Sequence, residues 1–240
     1  MVRIQFSIQL LNIAAYFTDI YPKVNHFLFS GFLLTNNQKL LKTSSFNLTK
    51  YQNPNCTFGP KISQMAIVYL SLGSNEGDRL NWLVKAAKLI ENRVGKVIEN
   101  SSVIESEAWG FESETTFYNM VLMVETELTP QQVLTKVLDI EASLGRTRHG
   151  NVYTNRIIDV DILFYNEEQI NDEKLVIPHP LMQKRIFVLQ PLAEIAADLI
   201  HPVLHTSISE LLLQFNEPEP IPIAVDADKF ALLFKSINQS

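Results

Sequence analysis

The sequence predicts an α+β fold: a ferredoxin-like split βαβ core with an antiparallel sheet, followed by additional C-terminal helices. Two observations carry this prediction. After Met65 the patterned segments follow one another in the order strand, helix, strand, strand, helix, strand. The 240 residues are 46% hydrophobic with a mean hydropathy near zero, which is typical of a globular protein with an apolar core.

The strands are predicted where β-branched and aromatic residues cluster, at 66–72, 96–107, 117–126 and 157–165. Apolar residues recur at helical spacing after the first strand; Asn75 or Asp78 is the candidate N-cap, and Gly95 is placed to end this helix. The second helix is predicted to begin after Thr129, which is followed by a proline and, three residues on, by a glutamine. It is predicted to end at Gly145.

Charge divides the chain near Met65. Of the 20 basic and 26 acidic residues, six basic and one acidic fall in residues 1–64, which leaves 14 basic and 25 acidic after them. We expect 1–64 to be an atypical N-terminal extension, 65–216 to be the functional domain and 217–240 to be a short peripheral tail. Three interpretations of the extension stay open: an over-extended reading frame, an acid-poor transit peptide, or an extra segment packed on the domain.

Composition argues against several classes of protein. A formal charge of −6 disfavours a general nucleic-acid-binding protein, which normally has a basic excess. No apolar run approaches the ~20 residues that cross a bilayer, so we expect no membrane segment. The single cysteine, Cys56, cannot form an internal disulfide, which favours a reducing compartment such as the cytoplasm.

Asp159 and Asp161 lie on the last predicted strand. Side chains alternate along a strand, so these carboxylates share one face, roughly 6.5–7 Å apart, while Ile158, Val160 and Ile162 point to the other. Aspartate is a poor strand former, and a pair of them in an apolar strand favours a binding role. The spacing suits one or two magnesium ions held against phosphates. An exposed polar strand face is the alternative.

Basic residues lead directly into this strand, namely Arg146, Arg148, His149 and Arg156. Arginine binds phosphate oxygens through two parallel hydrogen bonds and stays charged. A basic loop is often only a solvated surface. Beside the aspartate pair, it favours a site for a metal and a polyphosphate, because the cations balance charge that the metal leaves over.

Other polar and aromatic residues are candidates for the same site. His179 lies between two prolines, which fix the backbone around an imidazole that could donate to a phosphate, and Arg185 follows it closely. Asn119 is a polar residue inside an apolar strand, and its amide suits a heterocycle with amide-like edges. Four aromatic residues could stack on such a ring, Trp109, Phe111, Phe117 and Phe187. A loop histidine without a role and aromatic residues of the core are the structural alternatives.

Five motifs in order carry a resemblance to a known family. They are LSLGSNEGDR at 70–79, WGF with FYN at 109–119, IEASLGRTR at 140–148, RIIDVDILFY at 156–165 and IPHPLMQKRIFVLQPLAEIAADLIHP at 177–202. Together they make residues 65 to about 216 similar to 6-hydroxymethyl-7,8-dihydropterin pyrophosphokinase of folate biosynthesis. The resemblance implies transfer of a pyrophosphoryl group from ATP to the pterin hydroxymethyl oxygen, with release of AMP.

The resemblance also implies roles for individual residues. Asp159 and Asp161 match aspartates that hold two magnesium ions on the ATP phosphates, and Arg146 and Arg156 match catalytic arginines. ATP binding is implied for Glu141, Arg148, Ile162, His179 and Arg185. Pterin binding is implied for Ser106, Trp109, Phe117, Asn119 and Phe187. We expect ATP and hydroxymethyldihydropterin as partners of a monomeric cytoplasmic enzyme.

Departures from the family pattern cluster before Arg156. Thr154-Asn155 stands where many relatives have Gly-Pro, Tyr153 where some have Trp, and His149 where Lys is common, so loop closure and rate stay open questions. Two rival functions also stay open. One is a non-catalytic ferredoxin-like binding module, and the other is a different nucleotide-dependent phosphotransferase that releases ADP instead of AMP.

Overall fold

The structure is a computed structural model that describes residues 65–146, 155–215 and 220–236. The elements in these ranges are, in order, β1 (Ala66–Ser74), α1 (Arg79–Arg93), β2 (Lys96–Asn100), β3 (Val103–Ser106), β4 (Phe117–Thr126), α2 (Pro130–Ser143), β5 (Asp159–Tyr165), β6 (Ile170–Asn171), β7 (Val176–Ile177), α3 (Ile186–Ala196), α4 (Ile208–Leu213), β8 (Ile223–Val225) and α5 (Ala227–Ser236). Throughout these residues, no helix has the length and apolar character needed to cross a bilayer.

The main sheet is antiparallel throughout its pairings, as the sequence predicts. Its order is β5-β1-β4-β3-β8, and β2 also pairs with β4. β1 therefore lies between the two strands that carry the candidate site, β4 and β5. The small β6–β7 pair forms a separate two-stranded sheet.

Alternating side chains of the strands form an apolar core on each face of the sheet. Val68, Leu70 and Leu72 of β1 pack with residues of α1, α2 and α5 in one cluster. Val121 of β4 and Phe164 of β5 pack with residues of α3 and α4 in the other. The additional C-terminal helices α3 and α4 thus cover the face that α1 and α2 leave open.

The predicted helix starts are confirmed. The side chain of Asp78, one of the two candidate caps, accepts a hydrogen bond from the backbone N–H of Asn81 at 3.2 Å. Thr129 and Gln132 form a reciprocal capping box at the start of α2, with Pro130 at its first position. These contacts fix where each helix leaves the sheet.

The segment 96–107, predicted as one strand, forms two. Ser101 and Ser102 are buried between β2 and β3 and direct their hydrogen bonds away from a regular ladder. Ser101 Oγ accepts from the N–H of Val121 at 2.9 Å, and Ser102 donates from its N–H and its Oγ to the carboxylate of Glu194 on α3. The break therefore ties the sheet to α3.

The C-terminal residues are part of the sheet and core. β8 pairs with β3, and Phe230 of α5 is 1% exposed within the core on the α1 side. Gln190 of α3 holds this segment through both ends of its amide, donating to Ile221 O and accepting from Ile221 N–H, each at 2.8 Å. Residues 220–236 are thus more closely integrated than the peripheral tail that the sequence predicts.

Some predictions fall on residues that lie outside the described ranges. These are the extension 1–64 and the loop residues Arg148, His149, Tyr153 and Thr154. The interpretations given for them above stay predictions, and so does the division of the chain into domains.

Candidate active site

The candidate site lies where the ends of three neighbouring strands meet. Gly73 of β1 pairs with Asn119 of β4 on one side and with Asp159 of β5 on the other. A cavity of about 290 Å³ opens at this point. It is lined by eleven of the residues predicted from the sequence, namely Ser106, Trp109, Phe117, Asn119, Arg146, Arg156, Asp159, Asp161, His179, Arg185 and Phe187.

The aspartate pair projects into this cavity. Asp159 and Asp161 lie on one face of β5, as strand alternation predicts, and both line the cavity wall. Val160 and Ile162 point the other way, into the apolar core. The core packing of these two residues therefore fixes the direction of both carboxylates.

Arg146 lies between two carboxylates. Its Nη1 donates to Glu141 Oε1 and to Asp159 Oδ1. Glu141 is 1% exposed, and its Oε1 also accepts a hydrogen bond from the N–H of Val160 at 2.8 Å. Burial acts to lower the pKa of Arg146, but attraction to Asp159 and Glu141 outweighs it and the pKa lies above its ordinary value. Glu141 of α2 thus holds the charged Arg146 beside the end of β5.

Arg156 contacts the same aspartate from the other side. Its Nη1 lies 2.9 Å from Asp159 Oδ2, and its guanidinium carbon lies 5.3 Å from the ring centroid of Phe117. Its Nε is buried and has no hydrogen-bond partner in the part of the chain that the structure describes. The guanidinium therefore balances Asp159 while one of its N–H groups stays unpaired among the described residues.

Asp161 is paired more loosely than Asp159. Its Oδ2 lies 3.6 Å from Arg185 Nη1 and 3.9 Å from His179 Nε2. Although 38% of its side chain is accessible from the cavity, protein surrounds the carboxylate closely. This burial, followed by repulsion from Asp159, raises the pKa of Asp161 to about 7. A bound cation would strongly stabilise the ionised form of a carboxylate in this environment.

His179 is neutral at physiological pH. Burial and then the nearby charge of Arg185 lower its pKa to about 4. Its Nδ1 accepts a hydrogen bond from the N–H of Leu181 at 3.2 Å, so we infer that the proton of the neutral ring is on Nε2. Nε2 faces Asp161, which makes His179 an uncharged donor on the cavity wall.

The opposite end of the cavity is polar, and apart from the exposed Glu107 its lining side chains are uncharged. Asn119, which is 4% exposed, donates from Nδ2 to Ser106 Oγ at 2.8 Å, and this bond orients its amide. A Cβ on the facing Gly73 would lie 3.0 Å from Asn119 Oδ1, so glycine leaves room for the amide. The aromatic rings of Trp109 and Phe187 complete this end of the cavity.

Arg185 lies between the two ends. Its guanidinium carbon is 4.8 Å from the ring centroid of Trp109 and 6.0 Å from that of Phe187. Its Nη1 reaches toward Asp161. One buried arginine therefore contacts the aromatic walls of the uncharged end and a carboxylate of the charged end.

Residues 69–197, more than half of the chain, match the family described as 7,8-dihydro-6-hydroxymethylpterin-pyrophosphokinase (HPPK). The chain belongs to the HPPK family. As an HPPK it transfers a pyrophosphoryl group from ATP to hydroxymethyldihydropterin in folate biosynthesis. The resemblance carried by the five motifs implies this function, and it is confirmed.

Two bacterial relatives share the name 2-amino-4-hydroxy-6-hydroxymethyldihydropteridine pyrophosphokinase. The protein of Aquifex aeolicus is 42% identical over 146 residues, which are 61% of this chain and 90% of that protein. The protein of Porphyromonas gingivalis is 45% identical over 141 residues, which are 58% of this chain and 95% of that protein. This HPPK therefore contains almost the whole length of each relative.

The fold is shared with the solved HPPK-DHPS of Plasmodium falciparum. One structure of the wild-type protein with pteroate matches with a TM-score of 0.52 at 19% identity, over 63% of this chain and 42% of that one. At this identity the likeness concerns the fold alone, and this chain spans less than half of that protein. The α+β prediction is confirmed.

Two residues with an implied ATP-binding role do not line the cavity. Ile162 is 4% exposed in the apolar core on the far side of β5, so its side chain is not placed to touch a ligand in the cavity. Glu141 lies behind Arg146 and acts on the cavity through that arginine. Arg148 lies outside the described residues.

Two residues of the site were not assigned a role in it from the sequence. Gly73 separates Asn119 from Asp159, and Asn75 joins the loops around the cavity. The sequence makes Asn75 a candidate helix cap, a position that Asp78 occupies. A signal was present in the Gly-Ser-Asn run that ends β1, but a short loop of this kind is most often an ordinary turn.

The donors at the charged end fit magnesium bound together with a phosphorylated substrate. Among the described residues, no group of three or more His, Cys, Asp or Glu is arranged to hold a metal on its own. Two carboxylates in a cavity, Asp159 and Asp161, are what magnesium takes when phosphate oxygens and water complete its shell.

Proposed function

We propose that this HPPK depends on magnesium and that Asp159 and Asp161 hold two ions against the phosphates of ATP. The observation that carries the proposal is the placing of both carboxylates on one wall of a cavity that three arginines also line. The ions would neutralise phosphate charge and polarise the phosphorus–oxygen bond that breaks. The raised pKa of Asp161 supports the proposal, because a carboxylate that is costly to ionise in the empty cavity favours a bound cation.

Arg146 and Arg156 would bind the phosphates as charge develops on them. Both guanidinium groups already lie at the cavity, where Asp159 is their shared partner. Phosphate oxygens offer the same bidentate geometry as a carboxylate, so the arginines can exchange one anion for another without losing an ion pair. Their contribution is electrostatic, because phosphoryl-type transfers need positioning and charge neutralisation more than covalent chemistry.

His179 and Arg185 would bind the nucleotide on the other side of Asp161. The neutral imidazole donates from Nε2 without adding charge, while Arg185 supplies a fixed positive charge. Because Arg185 also contacts Trp109 and Phe187, it can align the phosphate chain with the pterin. The hydroxymethyl oxygen must lie in line with the bond broken at the β-phosphorus.

The pterin would occupy the uncharged end of the cavity. Asn119, oriented by Ser106, presents an amide whose carbonyl and N–H match the donor and acceptor edge of a pterin ring. Phe117 and Phe187 supply faces for stacking, and Trp109 closes the end of the slot. Ser106 and Asn119 lie on adjacent strands, so the recognition edge is a rigid part of the sheet.

Product analysis tests these assignments. The protein is incubated with ATP, hydroxymethyldihydropterin and magnesium, and AMP, ADP and pterin diphosphate are quantified. We expect AMP and pterin diphosphate in equal amounts, and none of either when EDTA removes the metal. ADP as the product would mean phosphoryl transfer, and full activity in EDTA would contradict the metal assignment.

We further propose that the active form is a cytoplasmic monomer. One chain brings the charged and the uncharged end of the cavity together, which supports an active monomer. Light scattering on the active protein tests the mass, and cell fractionation with an antibody tests the location. A dimer as the smallest active species would contradict the first part.

A further inference from the structure

A buried asparagine outside the reacting groups connects three segments around the cavity. Asn75 follows β1 and is 1% exposed. Its Nδ2 donates to Asn155 Oδ1 at 2.8 Å and lies 3.1 Å from Thr115 Oγ1, while its Oδ1 accepts from the N–H of Arg156 at 2.8 Å. Its own N–H donates to Arg156 O at 3.2 Å. Both sides of the Arg156 backbone are therefore bonded to one residue.

Asn155 is the second member of this group. Its Oδ1 accepts not only from Asn75 but also from Ser113 Oγ, at 2.9 Å. Ser113 belongs to the segment between β3 and β4 that also carries Trp109. A single amide oxygen thus joins the residue before Arg156 to the segment that closes the uncharged end of the cavity. The side chains of Asn75, Ser113 and Asn155 are called the polar latch below.

Neither Asn75 nor Asn155 lines the cavity, yet both determine where Arg156 lies. The guanidinium of Arg156 has to reach Asp159 and lies over Phe117, so its backbone must be held close to both. Asn75 does this directly. Asn155 does it by fixing the rotamer of Asn75 through Nδ2, which keeps Oδ1 aimed at the N–H of Arg156.

We propose that the polar latch is a positioning device that fixes the position of Arg156 relative to the segment between β3 and β4. It thereby fixes the position of the phosphate-binding end of the cavity relative to the pterin-binding end. The proposal rests on the role given to Arg156 under the proposed function. Asn155 is the informative member, because its side chain is exposed and bonded only within the latch among the described residues. Changes there leave the core intact.

The size of the effect follows from the bonds lost. Replacing Asn155 by leucine removes two acceptor contacts and leaves the buried Nδ2 of Asn75 dependent on its weaker partners. The loss of a partner destabilises a buried polar group, and water at the exposed side reduces this cost. We expect turnover to fall about tenfold, which corresponds to about 1.4 kcal/mol.

The test compares Asn155→Leu with Asn155→Asp, which keeps the oxygen acceptors, and with Asn92→Leu on the exposed face of α1 as a matched control. We expect Asn155→Leu to lose about tenfold in kcat with the melting temperature within a few degrees of wild type. Asn155→Asp should recover kcat to within about twofold, and Asn92→Leu should equal wild type. A role in folding alone would lower stability and leave kcat per folded molecule unchanged.

A double-mutant cycle with Ser113→Ala tests whether the latch acts as a unit. Ser113→Ala should lower kcat about threefold, and the double variant should be less than about thirtyfold slower than wild type, because the two changes share the contact between Ser113 and Asn155. The latch is contradicted if the two effects multiply, if Asn155→Leu keeps wild-type kcat, or if Asn155→Asp is as slow as Asn155→Leu.

Hydrogen exchange of the Arg156 amide gives a readout that does not depend on activity. This N–H donates to Asn75 Oδ1, so we expect it to exchange about tenfold faster in Asn155→Leu and unchanged in Asn92→Leu. Equal exchange in wild type and Asn155→Leu would overturn the latch. If the wild-type protein produced no AMP, the proposed function would fail, and this exchange measurement would still decide the latch on its own.

Discussion

The two ends of the cavity differ in how their polar side chains are paired. At the charged end Asp159 contacts two guanidinium groups, and Asp161 faces Arg185 and His179. At the uncharged end Asn119 is oriented by one neutral hydrogen bond to Ser106 between adjacent strands. Strong charges are balanced by partners that can be exchanged, whereas the neutral end is fixed by the sheet.

This difference predicts a separate function for each end of the cavity. Ion pairs between long side chains can be rearranged when a polyphosphate arrives, because one anion replaces another. A hydrogen-bonded amide on a central strand cannot move far, so it discriminates by shape and by donor pattern. The charged end should therefore control the rate, and the uncharged end should control which acceptor is used.

The largest effect should come from the looser carboxylate. Replacing Asp161 by asparagine keeps its shape and removes the charge, and we expect turnover to fall about a thousandfold or more. AMP formation at saturating ATP, pterin and magnesium measures it, with Asp172→Asn on the exposed surface as the control. Near-normal turnover in Asp161→Asn would contradict the proposal that Asp161 holds magnesium.

At the uncharged end, Asn119→Leu should raise KM for the pterin about a hundredfold, because a buried hydrogen-bonding site for the ligand is lost. The affinity for ATP, measured by calorimetry without pterin, should change less than about threefold. Asn92→Leu serves again as the control. Equal losses for both ligands would mean that the two ends are not separate in function.

Arg156→Ala should act on rate with little effect on nucleotide binding. Arg146 and Arg185 still line the charged end in this variant, so ATP affinity should stay within about threefold of wild type. We expect kcat to fall about thirtyfold, since one charge that acts in the transition state is lost. Arg93→Ala at the exposed end of α1 is the control, and a loss confined to ATP affinity would contradict this role.

The last prediction concerns stability and pH. The folded-state pKa of His179 is lowered to about 4 against 6.5 for the free side chain, so the unfolded chain takes up the proton first as pH falls. The contribution is complete above pH 6.5 and is lost progressively toward pH 4, by at most about 3 kcal/mol.

Urea unfolding of metal-free protein at several pH values between 4 and 7.5 measures this loss. His179→Gln should remove this contribution and leave the opposite one from Asp161, whose pKa of about 7 makes the folded protein more stable as pH falls through this window, whereas His205→Asn on the exposed surface should keep the wild-type slope. An unchanged slope in His179→Gln would show that the imidazole is not neutral in the folded state.

The charged end could be predicted from the sequence because its parts are close together in the chain. Arg146, Arg156 and the aspartate pair all lie within residues 146–161. The period of a strand alone places both carboxylates on one face. The same period that exposes Asp161 buries the side chain of Ile162, so the implied ATP contact of Ile162 stays a prediction that its side chain does not support.

The remaining features depend on contacts between distant residues. The break of 96–107 into two strands needs Glu194 of α3 as a partner for Ser102, more than ninety residues away. Asn75 meets Asn155 across eighty residues, and neither residue carries a local pattern that predicts the bond. Propensity and periodicity describe neighbours in the chain, so contacts of this kind need the folded structure.

The pairing of β8 with β3 has a consequence for how the protein can be shortened. An uncovered strand edge offers free N–H and C=O groups to the edge of another molecule and promotes aggregation. A protein cut at residue 216, the boundary that sequence predicts, would leave β3 unpaired on one side and would uncover the apolar surface beneath Phe230. The segment 220–236 therefore covers the edge of β3 and the apolar surface beneath Phe230, and we expect the solubility of the domain to depend on it.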